Sequence, residues 1–342
     1  MRKALTVTVL ASAILYAGMV IAVVAFSDQF WLLDLLTFAW QYVVVAGLVL
    51  LVAASLTRAK PAVAITLSAL LISIYPYAAV PVAQTAARCS FRVLTANLFI
   101  ENTNDPDQFL ELIRKEQPDL LVLQETLDTW QDPIRNLGLF PYETTRDLMT
   151  YDRVKVFSRF PIVREKMVSD PAIDEQFHKH PVRLELGGWN RPLVLYAIHP
   201  DTPRSLQQWR ERNLHLKTLA SSVRSDLPAS DVVVAGDWNT PRASGFYRDV
   251  LKKTGLGVAG DGDPWITSRF SLKLYPYFYL GSTIDHVAVS AALAVSDRRT
   301  GPMYGSNHLP VIADIGRSAP DDAQDPRPDG ATDRSSACAS AR

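Results

Sequence analysis

The sequence predicts a layered α/β domain carried behind three membrane-crossing helices. Three observations predict it. Residues 4–26, 35–57 and 61–84 are long apolar runs with no charged residue. Between residues 91 and 315, strand-like and helix-like patterns alternate. From residue 316 the chain turns to Pro, Asp, Ser and Ala, and large apolar residues almost vanish. This divides the 342 residues into a membrane anchor (1–88), a folded domain (89–315) and a disordered tail (316–342).

Each apolar run reaches the roughly 20 residues that a helix needs to cross a bilayer. The first could also be a cleaved signal peptide, because Met1-Arg2-Lys3 gives it a charged start. Its length and the two runs that follow favour a membrane helix, and none of the three shows a polar face. Arg2 and Lys3 precede the first run, and Arg58 and Lys60 lie between the second and third. The Ser27-Asp28-Gln29 link carries no base. The positive-inside rule then places the N-terminus in the cytoplasm and everything after about residue 88 on the outer face, which in a bacterium means the extracytoplasmic side of the inner membrane. Trp31, Trp40 and Tyr42 suit the membrane interface. The two cysteines, Cys89 and Cys338, are expected to be unpaired thiols, and neither has a companion at metal-ligand spacing.

In the folded domain, residues 91–98 (FRVLTANL) read as a strand. Asp105, Pro106 and Gln108 read as a helix start, and Gln117-Pro118 stops that helix. Residues 119–124 are a short apolar run with the look of a buried strand, and 154–158, 182–186 and 193–198 are further strands. Residues 205–224 carry Leu206, Trp209, Leu216, Leu219 and Val223 at helical spacing. Strands at 231–235, 284–289 and 310–315 complete the series. Strands with helices between them argue for a layered α/β domain.

Polar side chains recur where apolar strands end or begin: Asn97, Glu125, His199, Asp237 with Asn239, Asp285 and His308. A strand end on a rigid scaffold can hand a side chain to a shared site. Singly, each is an ordinary turn residue; the recurrence is what carries weight. Glu125 and Asp237 offer the carboxylates a hard divalent cation such as Mg²⁺ or Mn²⁺ favours. Asn97 and Asn239 can hydrogen-bond phosphate oxygens without repelling them. His199 and His308 can move protons near neutral pH, and Asp285 could orient a histidine. There is no Gly-rich phosphate loop, zinc-type Cys/His cluster or serine elbow, so nucleotide-driven and acyl-transfer chemistry lose ground.

The ordered series TANL (95–98), LVLQET (121–126), VFSRFPI (156–162), AIHP (197–200), AGDWNT (235–240), TIDHV (283–287) and SNHLP (306–310) resembles the endonuclease/exonuclease/phosphatase superfamily, to which DNase I belongs. The resemblance implies a four-layered sandwich, two mixed β-sheets face to face with helices outside. It implies a metal held by Glu125 and Asn97, and Asp237 and Asn239 orienting the nucleophilic water and binding phosphate. His308 is implied to pair with Asp285, and His199 to serve as proton donor or transition-state stabiliser. The implied reaction is in-line attack of activated water on a phosphate ester.

One departure stands out. Relatives usually carry Ser-Asp-His before the last proline, whereas this chain has Ser306-Asn307-His308. Asn307 keeps an oxygen on the metal side and loses the charge, which leaves a catalytically weak phosphate-binding domain as an alternative. Among neighbouring residues, Trp238 and His286 are expected to pack away from the site, and Arg159, Thr240 and Ser306 to be secondary. Residues 91–315 hold 26 Lys and Arg against 28 Asp and Glu, a net charge of −2 and no overall basic footprint for nucleic acid. The expected substrate is a phosphate ester at the membrane, in a phospholipid head group, a nucleotide or an extracytoplasmic nucleic acid, with no obligate protein partner. A third reading gives the function to the helices themselves, which their lack of polar residues opposes.

Overall fold

The computed structural model describes residues 2–83, 91–102, 104, 106–145, 153–169, 179–189, 191–258, 267–277 and 279–317. The expectations for Asp105, Cys89, Cys338 and, in the expected tail, residues 318–342 lie outside those residues; Gly316 and Arg317, expected to open the tail, instead end a strand, held by pairing with Ala294 and Leu293. Two compact units form: Met1–Val80 with Thr240–Asp249, and Pro81–Asn239 with Val250–Arg342.

The first unit holds α1 (Arg2–Phe26), α2 (Trp31–Leu36), a 3₁₀ turn at Thr37–Ala39, α3 (Trp40–Leu56) and α4 (Lys60–Ala78). Three stretches, Lys3–Phe26, Trp31–Leu56 and Lys60–Ala78, are long and apolar enough to cross a membrane. The last was expected to run to residue 84. It stops at Ala78 because Pro81 has no N–H to continue the helix. Packing between α1, α3 and α4 is close. A β-carbon at Gly47 would come within 2.2 Å of Tyr16 Oη and 2.7 Å of Leu70 Cδ2. Trp40 Nε1 donates to the Ser73 carbonyl at 2.9 Å. The buried Asp34 accepts a 2.6 Å hydrogen bond from Ser244 Oγ.

The second unit is built on two mixed six-stranded sheets. Its strands and helices in chain order are β1 (Phe91–Asn97), α5 (Asp107–Glu116), β2 (Leu120–Gln124), α6 (Asp128–Arg135), β3 (Tyr142–Glu143), β4 (Lys155–Ser158), β5 (Ile162–Met167), β6 (Val182–Leu186), β7 (Leu193–Ile198), α7 (Leu206–Asp226) and β8 (Asp231–Asp237). There follow α8 (Gly245–Thr254), whose residues up to Asp249 belong to the first unit, β9 (Gly257–Val258), β10 (Arg269–Phe270), β11 (Gly281–Ser282), β12 (Asp285–Val289), β13 (Leu293–Thr300) and β14 (Val311–Arg317).

One sheet has the order β13-β14-β1-β2-β4-β3 and the other β5-β6-β7-β8-β12-β9. Each has one parallel pair, β1 with β2 and β7 with β8. Alternation sends Val93, Val122 and Val156 inward to meet Leu184, Leu195, Val233 and Val287 from the second sheet, a shared core of fully buried side chains. The other face of the first sheet, with Leu94, Leu121 and Leu123, is covered by Phe109 and Ile113 of α5 and Trp130 and Ile134 of α6. On the second sheet, Tyr196 of β7 reaches Ser222 and Asp226 of α7 through its hydroxyl, at 2.7 and 2.6 Å. The result is the expected four-layer arrangement.

The predicted strand and helix centres fall where the sequence put them. The capping box expected at α5 does not form among the described residues: Pro106 occupies the N-cap and no side chain caps it.

Candidate active site

The parallel pairs β1/β2 and β7/β8 point their C-terminal ends the same way, and antiparallel β12 starts where β8 ends. Register makes this concrete. Asn97 lies opposite Gln124, Ile198 opposite Gly236, and Asp285 opposite Asp237. Glu125 and His199 are one residue past their strands. Gly236 takes φ 149°, and a β-carbon there would meet the Ile198 carbonyl oxygen at 2.1 Å, so only glycine lets β8 lie this close to β7.

Asp237 is the hub. Asn97 Nδ2 donates to Asp237 Oδ2 at 3.1 Å and to Glu125 Oε1 at 3.3 Å. His199 Nε2 lies 3.9 Å from Asp237 Oδ2 and 3.6 Å from Glu125 Oε1. His308 Nε2 lies 3.9 Å from the same Asp237 oxygen, and its Nδ1 is 2.9 Å from Asp285 Oδ2. Asn239 donates its backbone N–H to Asp237 Oδ1 at 2.8 Å and its amide to the Pro200 carbonyl at 2.9 Å. The structure thus gathers Asn97, Glu125, His199, Asp237, Asn239, Asp285 and His308 at one place. Glu125, His199, Asp237, Asn239, Asn307 and His308 line a cavity of about 330 Å³, beneath which Asn97 and Asp285 are buried.

The local backbone differs from the extended geometry that would send Asp237 and Asn239 to one side. The strand ends at Asp237, and Asn239 turns left-handed at φ 44°, closing an Asx turn on the Asp237 carboxylate. Four cavity-lining residues other than glycine hold such positive φ: Phe99 at 59°, Glu125 at 52°, Arg153 at 49° and Asn239 at 44°. Each costs about 1–2 kcal/mol, and clustered strain of this kind marks a site whose side-chain placement is enforced by the surrounding fold.

Burial pushes the Asp237 carboxyl up to about 7, and the charge of Asp285 adds to that. His308, the Asn239 N–H and the Asn97 amide pull it back. Burial works against a charged His308, but the adjacent Asp285 outweighs it and raises the imidazole. Asp237, Asp285 and His308 could each bring one ligand atom within 4.8 Å of the others. Asp285 already holds His308 Nδ1, so those two act as a pair rather than as independent ligands. Among the described residues, Asp285 Oδ1 and Asn307 Oδ1 are buried without a hydrogen-bond partner. Two clustered acids with no lysine or arginine between them, and two orphaned oxygens, suit a hard divalent cation.

Trp238 is fully buried and packs edge-on to His286, ring centroids 5.7 Å apart, as the alternation predicts. Ser306 is more than secondary. Its Oγ donates to the Asn97 carbonyl at 2.7 Å and accepts from the His308 N–H at 3.0 Å, tying both residues together, and Tyr304 Oη reaches the same carbonyl at 2.6 Å. Arg159 faces Gln117 Oε1 at 2.7 Å, away from the cavity. The sequence reading missed Arg212, whose Nη1 meets the Asn239 carbonyl at 3.3 Å, and the basic residues lining the cavity. Arg212 had a signal, since a charge on the buried stripe of α7 between Trp209 and Leu216 needs a reason.

Residues 94–308 match the Endonuclease/Exonuclease/phosphatase family. The chain matches no curated protein in sequence. Among solved structures, truncated Caenorhabditis elegans TDP2 aligns with a TM-score of 0.52 at 14% identity, covering 67% of this chain and 97% of that one. A humanised D. rerio TDP2 aligns at 0.54 and 13%, covering 66% and 98%. A Staphylococcus aureus beta toxin aligns at 0.51 and 16%, covering 66% and 99%. At such identities the likeness is one of fold.

Proposed function

Because the chain belongs to the endonuclease/exonuclease/phosphatase family, whose members are generally metal-using phosphoesterases, we propose that it is a divalent-metal-dependent hydrolase of phosphate esters. The observation that carries the reading is Asp237. Its buried carboxylate stands within 4 Å of two imidazoles and an amide, with a second carboxylate sharing that amide.

In this reading Glu125 and Asn97, with Asn307 Oδ1, hold Mg²⁺ or Mn²⁺. A bound cation neutralises charge on the phosphoryl oxygens. Asp237, whose raised carboxyl suits proton transfer near neutral pH, orients a water and takes its proton. The water oxygen bonds to phosphorus as the opposite P–O ester bond breaks, and the leaving alcohol takes a proton from His199. His308, whose imidazolium form Asp285 favours, faces the developing negative charge. His199 stands on the same side as a further proton carrier, and the Asn239 turn fixes Asp237. The three apolar helices anchor the domain, on the extracytoplasmic face if the positive-inside rule holds.

The test uses the full chain in detergent micelles with Mg²⁺ and bis-p-nitrophenyl phosphate. Turnover should require the metal, return after chelation when Mg²⁺ is restored, and disappear in Asp237→Ala and His308→Ala. Turnover unaffected by both variants would sink the assignment. A cytoplasm-only reporter fused after Arg342 should be silent; an active one would reverse the topology.

A further inference from the structure

The cavity has an acidic floor and a basic rim. Glu125 and Asp237 lie at the floor. Arg153, Lys179, Arg204 and Arg269 line the same cavity, against Glu101 as the one further acid in its lining. Arg153 and Arg204 are exposed, Lys179 and Arg269 half-buried. Among the described residues, the side chains of Arg153, Arg204 and Arg269 have no ion pair, and Lys179 meets only Asp201, at 3.5 Å. Elsewhere in this unit Arg92, Arg183 and Arg299 are each bound to carboxylates. Arg153 is also held in the left-handed conformation, with its carbonyl accepting from the Thr126 N–H at 3.0 Å, one residue beyond Glu125. The strained backbone is thus tied beside the floor, and the Arg153 side chain lines the cavity without an ion pair among the described residues.

Unpaired arginines around a concave site present the planar donor fork that binds phosphate bidentately. Four cations are more than a single phosphate on the floor needs. A choline or ethanolamine head group would add another cation to that rim. Among the described lining residues the one aromatic ring is Phe99, too few for a quaternary-ammonium cage. At about 330 Å³ the cavity takes a small group. The domain's net charge of −2 supplies no extended track for a nucleic-acid backbone.

We propose that the Arg153, Lys179, Arg204 and Arg269 rim selects small phosphate esters that carry a second, adjoining phosphate, the first lying over Asp237 and the second on the rim. The proposal rests on the hydrolase reading for its chemistry but makes a separate claim about binding. The second phosphate could belong to a lipid or to a soluble molecule, and the experiment separates these.

Full-length protein in micelles with Mg²⁺ is titrated calorimetrically with inorganic pyrophosphate and with orthophosphate, as wild type and as the Arg153→Ala/Arg204→Ala double variant. Pyrophosphate should bind at least about tenfold tighter than orthophosphate, and the double variant should lose most of that ratio. Both substituted side chains are exposed, and an unchanged thermal midpoint verifies folding. Release of pyrophosphate from farnesyl diphosphate in vesicles and from ADP in solution, each read as phosphate after inorganic pyrophosphatase, is then compared with head-group release from phosphatidylcholine vesicles, read after phosphatase. Either diphosphate should exceed phosphatidylcholine about tenfold in kcat/KM, the faster of the two naming the source, and the ratio should fall in the double variant. Equal binding of the two anions, a ratio untouched by the double variant, or preferred turnover of phosphatidylcholine would overturn the proposal. A pyrophosphate preference without turnover of any ester would leave the rim standing and remove the hydrolase reading; turnover without the preference would do the reverse.

Discussion

Strand β1 carries a polar side chain at each end, and the two ends are built on opposite electrostatic plans. At the start, Arg92 is buried and saturated. Its Nε and Nη2 reach Asp314 at 2.5 and 2.9 Å, its Nη1 reaches Glu116 Oε2 at 3.1 Å, and its N–H reaches Asp119 at 2.8 Å. Arg299 joins the same Glu116 and Asp314. At the finish, Asn97 stands between Glu125 and Asp237, and the nearest partners of those acids are amides and imidazoles. The first cluster pairs each of its two guanidiniums with carboxylates. The second leaves carboxylates under-compensated in a cavity, an arrangement that burial makes costly and that a bound cation would relieve. One strand therefore joins a buried charge matched within the fold to a cluster that, on the proposed reading, is held for a ligand.

The largest expected effect breaks the second cluster. Asp237→Ala should lower kcat/KM by at least about 1,000-fold, roughly 4 kcal/mol of transition-state stabilisation. The thermal midpoint without Mg²⁺ should hold or rise, because a costly buried carboxylate is gone. A variant that keeps activity, or that unfolds, would put Asp237 on the structural side of the comparison. The mirror experiment removes Arg92. Arg92→Ala leaves Arg299 alone to meet Asp314 and Glu116 and should cost about 3 kcal/mol in denaturant unfolding, with KM of the folded fraction unchanged. A stable but inactive Arg92→Ala would erase the distinction.

How far the sequence revealed these two plans differs for physical reasons. Strands such as 182–186 and 193–198 were legible to the residue because alternation and continuous apolarity are local signals. The site residues were legible because each sits where a strand ends, a place defined by the same local signals. Strand β13 escaped because its second half, Ser296-Asp297-Arg298-Arg299-Thr300, reads as polar loop; only pairing with β14 across a bulge makes it strand. Helix α6 was hidden by Pro133 in its interior. The left-handed turn at Asn239 could not be read either, since it is set by Asp237 and Pro200, the latter 39 residues distant. The basic rim combines loops and the start of β10, separated by up to 116 positions from Arg153 to Arg269, and carries no periodicity.

A smaller effect comes from a third way to bury a titratable group, which is to keep it neutral. His215 on α7 is buried, with Nδ1 3.0 Å from the Lys179 carbonyl. Burial lowers its imidazole to about 3, and the neighbouring cations His180 and Lys179 push the same way. Glu211 lies on the same face of that region. Since the folded group binds its proton more weakly than the unfolded one, stability is full above about pH 6.5 and is lost as pH falls from there towards 3, at roughly 1.4 kcal/mol per unit. Roughly 2 kcal/mol should disappear between pH 6.5 and 5, and His215→Gln should flatten that slope. An unchanged slope would mean His215 is not held neutral.

The smallest expected effect sharpens the comparison at its weakest-charged corner. Asn307 lines the cavity, and its Oδ1 is buried without a partner among the described residues. Asn307→Asp adds a carboxylate of nearly the same shape beside Asp237. Without metal it increases like-charge repulsion and should lower stability by about 1 kcal/mol. With metal it adds a charged ligand, and the Mg²⁺ concentration for half-maximal activity should fall about tenfold, near 1.4 kcal/mol. The opposite signs are the point: an ion-paired cluster such as that of Arg92 would lose stability in both conditions. If the variant is destabilised equally with and without Mg²⁺, the orphaned oxygen belongs to packing, and the cation is held by Glu125 and Asn97 without help from this loop.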